Sequence, residues 1–350
     1  MTSDISQRKQ DHLDLCATGP VGFRDRTTLF ECVRLVHDAL PDLHHDEIDL
    51  GVTLLGKRLR APILIAAMTG GNDEAATVNR TLAEVAEARG YGFGLGSQRA
   101  MHRRGEVSWT YRVREVAPTT LLFGNLGLVQ ARELDDDALR GIAGEVGADA
   151  LCIHLNPAME LVQPGGDRDF RGGADFFTRV TRSLGIPVIA KETGNGIAPH
   201  TARRLFAAGV RHVDVSGAGG TSWVGVETLR AEGGARALGE AIWDWGVPTA
   251  ASVALCAPVG FETVIATGGV FTGTDVARAL ALGASAAGIA RPALKALREG
   301  GAAGAHAFFD GVERELRALM LLTGSRDVAA LRRAPRVIVG ELDRWISSLR

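Results

Sequence analysis

Polar side chains that could bind a ligand or move a proton follow a series of short apolar runs along this chain, nearly one group to each run. Hydroxyl, amide, imidazole and amine groups are all represented, often beside glycines that let a ligand approach the backbone closely. The groups that end or follow successive runs include Thr69, Ser97, Asn125, His154 with Asn156, Lys191, Ser216 and Thr267. If the ends of these runs meet in space, they form a polar pocket that contains candidates for acid–base catalysis and ligand binding.

Two glycine-containing segments in the last third of the chain are typical of a phosphate cradle. Gly268 and Gly269 follow the seventh apolar run, and residues 288–290 lie in and after the eighth. Backbone N–H groups of such segments bind phosphate oxygens in α/β barrels. The hydroxyl of Thr221, in a glycine-rich segment after the sixth run, can add to them. The pattern therefore predicts a phosphorylated ligand.

Lys191 is the amine of this set, and its neighbour Glu192 allows two interpretations. Adjacent residues of a strand face opposite ways, so Lys191 can point into the pocket without its neighbour. There a cation would stabilise the electron-rich N1–O2 edge of a reduced flavin. The alternative is a buried ion pair between Lys191 and Glu192. We favour the flavin role.

The apolar runs predict eight parallel strands. They are short, rich in Val, Ile, Leu or Ala, and separated by helical patterns such as 74–89, 136–146, 199–208 and 274–282. Eight strand–helix units predict a closed (β/α)8 TIM barrel, with a doubly wound sheet as the competing architecture. A ninth run, 249–253, suits the start of a helix equally well. The eight runs are 63–67, 91–96, 121–125, 150–154, 188–191, 212–216, 264–267 and 286–290.

Residues 1–60 do not follow this repeat. We interpret them as an N-terminal capping segment on a barrel of residues 61–350, the two forming a single domain. The segment has a helix-like pattern at 31–40 and a strand pattern before Gly56. It also carries a basic cluster, Arg8, Lys9 and His12. If the segment folds over the barrel mouth, Arg99 can join this cluster in holding a diphosphate.

Composition argues against several classes of protein. The formal net charge is -2 and the basic residues are scattered among acidic ones, which predicts no nucleic-acid partner. No apolar run approaches the ~20 residues that span a bilayer, and the polar start of the chain does not read as a signal peptide. The four cysteines are far apart, which argues against structural zinc, an iron–sulfur cluster and a disulfide scaffold. We therefore expect a cytoplasmic protein.

In their order along the chain, these motifs resemble those of the type 2, FMN-dependent isopentenyl diphosphate isomerases. The resemblance extends over about residues 8 to 295. The first half contains R-K-x-x-H at 8–12, G-K-R-L at 56–59, A-x-M-T-G-G at 66–71, G-S-Q-R at 96–99, G-N-x-G at 124–127 and H-L-N at 154–156. The second half contains Q-P-x-G-D-x-D-F at 163–170, K-E-T-G at 191–194, D-V-S-G-A-G-G-T-S-W at 214–223 and A-T-G-G at 266–269.

The resemblance implies an FMN-binding barrel that isomerises isopentenyl diphosphate to dimethylallyl diphosphate, with Mg²⁺ and NADPH. Contacts to FMN are implied for Met68, Thr69, Ser97, Asn125, Lys191, Ser216 and Thr221, and contacts to its phosphate for Gly268, Gly269 and Ala290. The substrate diphosphate would be held by Arg8, Lys9, His12, Arg99, His154 and Asn156. Glu160 would bind Mg²⁺, and His154, Lys191 and Met159 would lie at the reacting centre. A homotetramer or homo-octamer is also implied.

Met159 departs from the family pattern, which has a glutamine at this position, often proposed to assist proton transfer beside the flavin. A thioether cannot relay a proton. Phe271 likewise stands where relatives often carry a basic residue near the flavin phosphate, and Gly165 replaces a common glutamate. Our hypothesis is that reduced FMN itself supplies and removes the protons, and that NAD(P)H serves only to reduce it.

Two alternatives stay open. One is another flavin oxidoreductase, such as a 2-hydroxy-acid oxidase, which needs a base and a carboxylate clamp, usually with help from tyrosine. This chain has only two tyrosines, Tyr91 and Tyr111. The other is a diverged, weakly active paralogue that binds flavin or an isoprenoid diphosphate, and Met159 motivates it.

Overall fold

A closed barrel of eight parallel strands forms the centre of the protein. The computed structural model describes the backbone of residues 2–349 and the side chains of residues 9–349. The barrel closes between its last and first strands, where Gly288 lies opposite Leu64. The strands are β1 Ile63–Ile65, β2 Gly92–Gly94, β3 Leu121–Gly127, β4 Ala150–Leu155, β5 Val188–Glu192, β6 His212–Asp214, β7 Thr263–Ala266 and β8 Ala286–Ile289.

All eight predicted strands are confirmed within a few residues, and closure of the sheet excludes the doubly wound alternative. The ninth run begins the helix Thr249–Cys256, which Pro248 precedes. The α-helices are Thr2–Thr18, Asp73–Arg89, Arg99–Arg103, Leu128–Arg132, Asp136–Glu145, Pro157–Val162, Gly173–Ser183, Pro199–Ala207, Trp223–Arg230, Gly233–Ala241, Thr249–Cys256, Gly273–Ala281, Arg291–Leu322, Val328–Arg333 and Gly340–Leu349. Short 3₁₀ helices lie at Phe30–Cys32, His45–Glu47, Gly105–Tyr111 and Ala257–Val259. No helix in residues 2–349 is long and apolar enough to cross a membrane.

The barrel interior changes from apolar to polar along the strands. Side chains alternate across a strand, so residues two apart share a face. Four strands place an apolar side chain in the lower interior and a polar one two residues later. The pairs are Phe123 with Asn125, Cys152 with His154, Ile189 with Lys191 and Ile265 with Thr267. The polar groups therefore collect at the carboxyl end of the barrel.

A small hairpin closes the opposite end. Its strands, Val52–Leu54 and Lys57–Leu59, pair antiparallel. Leu54 and Leu59 pack into one cluster with the lower interior residues of the barrel. Burial of each leucine contributes roughly 1.5–3 kcal/mol. The predicted strand before Gly56 is therefore confirmed, and it seals the bottom of the barrel.

The predicted helix at 31–40 is wrong. The chain there forms a 3₁₀ turn and then the strand Val33–Leu35, which pairs antiparallel with Arg336–Ile338 near the other end of the chain. Leu29, just before the turn, has a φ of 60°, which a continuing α-helix does not allow. A strand partner three hundred residues away leaves no local pattern.

The first helix, Thr2–Thr18, packs against the helices Asp73–Arg89, Trp223–Arg230 and Arg291–Leu322. Its Leu13 and Ala17 belong to the same apolar cluster as the outer face of the barrel strands. At its end, the guanidinium of Arg291 donates to the carbonyls of Cys16 and Gly19, each at 2.8 Å. The division into a capping segment and a barrel stays a prediction.

Candidate active site

One cavity lies at the carboxyl ends of the barrel strands, beside the first helix. The cavity and its open mouth enclose about 1590 Å³. Every residue that we predicted for the site, apart from Arg8, contributes to its wall. The side chain of Arg8 lies outside the described residues. The sequence-predicted members are Lys9, His12, Met68, Thr69, Ser97, Arg99, Asn125, His154, Asn156, Met159, Glu160, Lys191, Ser216, Thr221, Gly268, Gly269 and Ala290.

The loops after β6 and β7 approach each other too closely for side chains. Gly268 and Gly269 have φ values of 92° and 73°. A Cβ atom on Gly268 would lie 2.3 Å from the carbonyl oxygen of Gly217, and one on Gly269 would lie 2.3 Å from the methyl carbon of Thr28. Only glycine fits both the conformation and the space. These positions thus present bare backbone to the cavity, as a phosphate cradle requires.

Thr69 supplies a second sign that a ligand belongs here. Its hydroxyl is buried and has no hydrogen-bond partner within residues 9–349. The loop around it is held firmly, because the amide of Asn79 donates to the carbonyls of Thr69 and Thr110 at 3.2 and 3.0 Å. Buried hydroxyls normally have a partner, so the fixed hydroxyl of Thr69 fits a polar cofactor atom.

Lys191 lies on the cavity wall but forms a different ion pair from the one we considered. Its Nζ atom donates to Asp214 Oδ2 at 2.7 Å and to Thr267 Oγ1 at 3.2 Å. The alternative of a pair with Glu192 is wrong. Glu192 faces the other way, where its Oε2 accepts backbone N–H bonds from Thr193, Asn195 and Gly196. Burial, opposed by these bonds, raises the pKa of Glu192 to about 8.

His154 is held in one tautomer by Asn125. The amide nitrogen of Asn125 donates to the carbonyl of Leu95 at 3.0 Å, so its Oδ1 atom is the acceptor that faces His154 Nδ1 at 2.8 Å. The hydrogen therefore sits on Nδ1, and Nε2 is left as the acceptor. Burial lowers the pKa of His154 to about 3, and the charges of Lys191, Lys9 and Arg99 add to this effect. The imidazole is neutral near pH 7.

Gln98 supports this arrangement from behind. Its amide donates to the carbonyl of Ile142 at 3.0 Å, and its Oε1 accepts the backbone N–H of Asn125 at 2.8 Å. Gln98 is fully buried. The residue belongs to the G-S-Q-R motif, yet sequence reasoning gave it no role. The other residues of this motif line the cavity, so the position of the glutamine among them was the sequence signal that could have indicated a supporting role.

Glu160 is a buried carboxylate with its acceptor sites partly filled. Oε1 accepts from the amide of Asn156 at 2.9 Å, and Oε2 accepts the backbone N–H of Asp167 at 2.8 Å. No group of three or more acidic, histidine or cysteine side chains in the described residues is arranged to hold a metal. One carboxylate suits Mg²⁺ only when other oxygens, such as those of a diphosphate and water, complete its shell. Glu160 and its surroundings therefore fit a metal ion that binds together with a diphosphate ligand.

Arg99 and Lys9 bring positive charge to the same side of the cavity. Arg99 extends from the helix Arg99–Arg103, and its Nη1 lies 4.0 Å from Asp167 Oδ2. Lys9 comes from the first helix. Both charges lower the pKa of His154, which places them near the imidazole. Residues far apart in sequence thus bring positive charge to the cavity that the glycine loops also line.

His12 lines the cavity but makes its polar contact away from it. Its Nε2 atom lies 2.8 Å from Glu227 Oε1, and its ring packs edge-on against Trp223. Burial lowers the pKa of His12, although the hydrogen bond to Glu227 opposes this. Glu227 also accepts from Arg230 at 2.7 Å, and Arg230 contacts Asp11 at 3.0 Å. This group of residues anchors the first helix and was not predicted.

The two tyrosines lie outside the cavity wall. The hydroxyl of Tyr91 contacts Glu313, and that of Tyr111 donates to the carbonyl of Ser97 at 2.9 Å. Neither is placed to assist a 2-hydroxy-acid substrate in the way that the oxidase alternative expects. Met159, by contrast, does line the cavity, next to Glu160.

Comparison with known proteins agrees with this architecture. The family described as FMN-dependent dehydrogenase matches residues 1–155 and 174–337. The structure of a lactate oxidase from Pediococcus acidilactici superposes with a TM-score of 0.70 and 18% identity, covering 96% of this chain and 94% of that chain. A mandelate oxidase structure gives a TM-score of 0.65 and 19% identity, covering 97% and 98%. These two likenesses show the fold. The family match, which extends over most of the chain, makes the protein a member of the FMN-dependent dehydrogenase class.

Its relatives define the family more narrowly. The isopentenyl-diphosphate delta-isomerase of Methanothermobacter thermautotrophicus is 42% identical over 344 residues, covering 98% of this chain and 96% of its own. The protein of the same name from Nostoc sp. is 46% identical over 311 residues, covering 86% and 88%. That of Pyrococcus abyssi is 42% identical over 349 residues, covering 97% and 94%. The chain belongs to the isopentenyl-diphosphate delta-isomerase family.

Proposed function

We propose that this protein converts isopentenyl diphosphate to dimethylallyl diphosphate, with FMN, Mg²⁺ and NADPH. One observation carries the proposal. The cationic side chains of Lys9 and Arg99, beside the neutral His154, share a single cavity with a glycine phosphate cradle at Gly268–Gly269. Two separate anion sites in one cavity suit a phosphorylated cofactor and a diphosphate substrate side by side. The names of the relatives supply the substrate.

The cofactor would lie between the glycine loops and Thr69. Its phosphate would bind the backbone of Gly268, Gly269 and Ala290, and the ring would contact Thr69 and Lys191. Met68, Ser97, Asn125, Ser216 and Thr221 complete the implied contacts. When bound and reduced, FMN would supply and accept the protons that move the double bond, while NADPH would serve only as its reductant.

The remaining residues would bind and orient the substrate. Arg99, Lys9 and Arg8 would neutralise the diphosphate, and Glu160 would hold Mg²⁺ against its oxygens. Asn156 keeps the carboxylate of Glu160 in place through its 2.9 Å hydrogen bond. His154, neutral and fixed by Asn125, would present Nε2 to the substrate side of the cavity. Restricting the alkene to one orientation beside the ring accounts for much of the rate such an enzyme needs.

A proton NMR time course tests the proposal. Purified protein is incubated without oxygen in D₂O with FMN, Mg²⁺, NADPH and isopentenyl diphosphate. We expect dimethylallyl diphosphate with incorporated deuterium, and no product when the reductant is omitted. Equal turnover with oxidised flavin and no reductant would contradict the acid–base role of the reduced cofactor. No turnover despite bound, reducible flavin would contradict the isomerase itself.

Met159 supports a second candidate function, that of a weakly active diphosphate-binding paralogue. Its side chain lines the cavity beside Glu160, where the family has an amide. The variant Met159→Gln distinguishes the two. A gain in kcat of several orders of magnitude would favour the paralogue, whereas an unchanged kcat would show that the amide is dispensable. Met159→Leu, equally unable to relay a proton, is the matched control.

Assembly and location are further parts of the proposal. The family resemblance supports a homotetramer or homo-octamer, and the composition supports a cytoplasmic location. Sedimentation equilibrium with and without FMN measures the first directly. A monomer under both conditions would exclude the assembly.

A further inference from the structure

Lys191, Asp214 and Thr267 form a buried triad at the ends of three neighbouring strands, with Thr267 directly after β7. Lys191 of β5 is paired in register with Asp214 of β6, and Asp214 is in turn opposite Ile265 of β7, two residues before Thr267. All three residues are less than a tenth exposed. The triad therefore arises from the strand register of the barrel, not from a loop.

Both carboxylate oxygens of Asp214 accept hydrogen bonds from neighbouring groups. Its Oδ2 accepts from Lys191 at 2.7 Å, and its Oδ1 accepts from the hydroxyl of Thr267 at 2.5 Å and the backbone N–H of Ser216 at 3.3 Å. The Thr267 hydroxyl also accepts from Lys191 at 3.2 Å. Two of the three ammonium hydrogens of Lys191 are thus used inside the barrel, which leaves one for the cavity.

The two charges of the pair occupy different depths. Lys191 and Thr267 are on the cavity wall, whereas Asp214 is not. Of the carboxylates in the described residues, only Glu160 lines the cavity, on the substrate side. A group bound in the cavity would therefore meet the ammonium directly and the carboxylate of Asp214 only behind it. In such a buried place the carboxylate offsets much of the ammonium's field.

We infer that Asp214 is a positioning residue that offsets the charge of Lys191 and so limits how strongly this ammonium stabilises the anionic form of reduced FMN. The inference rests on the proposed binding of FMN beside Lys191. Without the carboxylate of Asp214, the ammonium would stabilise the anionic reduced flavin so strongly that proton exchange at the flavin would become difficult. With Asp214 present, two hydrogen bonds orient the ammonium, and the carboxylate weakens its electrostatic effect on the flavin.

The reduction potential of the bound flavin tests this inference. Asp214→Asn is compared with the wild type, both loaded with FMN, at one pH near 6. We expect the potential to become more positive, with reduced FMN bound at least about tenfold more tightly relative to oxidised FMN, equivalent to about 30 mV for a two-electron couple. Lys191→Gln should shift the potential in the opposite direction. Asp149→Asn, which removes the ion pairs with Lys57 and Arg114 just before β4, should leave it unchanged.

A merely structural role gives the opposite sign. If Asp214 only held Lys191 in place, its loss would displace the ammonium, and Asp214→Asn would shift the potential negative, as Lys191→Gln does. That result, or no shift, would overturn the inference. If Asp214→Asn does not fold, Lys191→Gln and Lys191→Gln/Asp214→Asn are compared instead. Loss of both charges of a buried pair is tolerated better than loss of one, and the added change should still move the potential positive.

The test is separate from the proposed isomerase activity. It needs only FMN and a redox dye, with no isopentenyl diphosphate present. Failure of the wild type to bind FMN would defeat the proposed function. A flavin that binds but does not respond to Asp214→Asn would defeat only this inference.

Discussion

Glu227 offers a sharp test of how the first helix is held over the cavity. Among its described side chains, residues 9–18, the helix contributes Leu13 and Ala17 to the buried core. Polar contacts add to this apolar packing. Glu227 is completely buried and joins His12 of that helix, at 2.8 Å, to Arg230, at 2.7 Å. Its hydrogen bonds hold the pKa of Glu227 below its usual value, although burial opposes them.

Glu227→Gln removes this charge with little change in shape. Hydrogen bonds to charged groups contribute about 1.5–3 kcal/mol each, and the amide can keep only one of the two acceptor contacts. Docking of the first helix should therefore weaken by about 2–3 kcal/mol, which is about 30- to 150-fold in its equilibrium. Because this helix carries Lys9 to the cavity, the KM for isopentenyl diphosphate should rise by about tenfold to a hundredfold. The kcat should change little, since the flavin side is untouched.

Steady-state kinetics measure the KM, and hydrogen exchange of the first-helix amides measures docking independently of activity. Faster exchange is expected in Glu227→Gln. The matched control is Glu240→Gln, because Glu240 pairs with Arg24 at an exposed site where loss of an ion pair costs little. Unchanged exchange together with an unchanged KM would refute the anchoring role of Glu227.

Three further predictions concern the pH dependence, the glycine loops and the metal. The folded-state pKa of His154 is lowered to about 3, so its contribution to stability is present above its unfolded pKa near 6.5 and is lost as pH falls towards 3. Chemical denaturation should show that the free energy of unfolding of the wild type falls by about 3–5 kcal/mol over this pH range, and that of the variant His154→Leu should not. An equal acid dependence of stability in the wild type and the variant would contradict this. Gly268→Ala should destabilise the fold by about 2–4 kcal/mol and weaken FMN binding. Gly311→Ala, where the added methyl group meets open space on a helix, should instead stabilise the fold by up to about 1 kcal/mol. Equal melting temperatures of the two variants would argue against the close approach of the backbone at Gly268. Removal of Mg²⁺ by EDTA should abolish turnover and leave the flavin absorbance unchanged. The variant Glu160→Gln should need far more Mg²⁺ to reach half its maximal rate. An unaltered Mg²⁺ requirement would show that Glu160 does not bind the metal.

The positions of the barrel strands and of the site residues on them could be predicted from the sequence. Buried parallel strands are apolar on both faces and end in small or polar residues, so their pattern is local. The carboxyl ends of parallel strands also necessarily meet at one mouth. For that reason the sequence alone predicts that Asn125, His154 and Lys191 line one cavity. The glycines at 268 and 269 were recognisable because a close approach tolerates no other residue.

Tertiary structure decided which of these groups contact each other. The partner of Lys191 is Asp214, 23 positions away, because strand register brings them together while Glu192 faces outward. His12 faces Glu227 across 215 positions, a contact that depends on how the first helix docks. The strand Val33–Leu35 exists because Arg336–Ile338 lies beside it. Local sequence encodes the backbone pattern and the chemistry available to a site, but the geometry of charge pairs depends on packing between segments that no local pattern records.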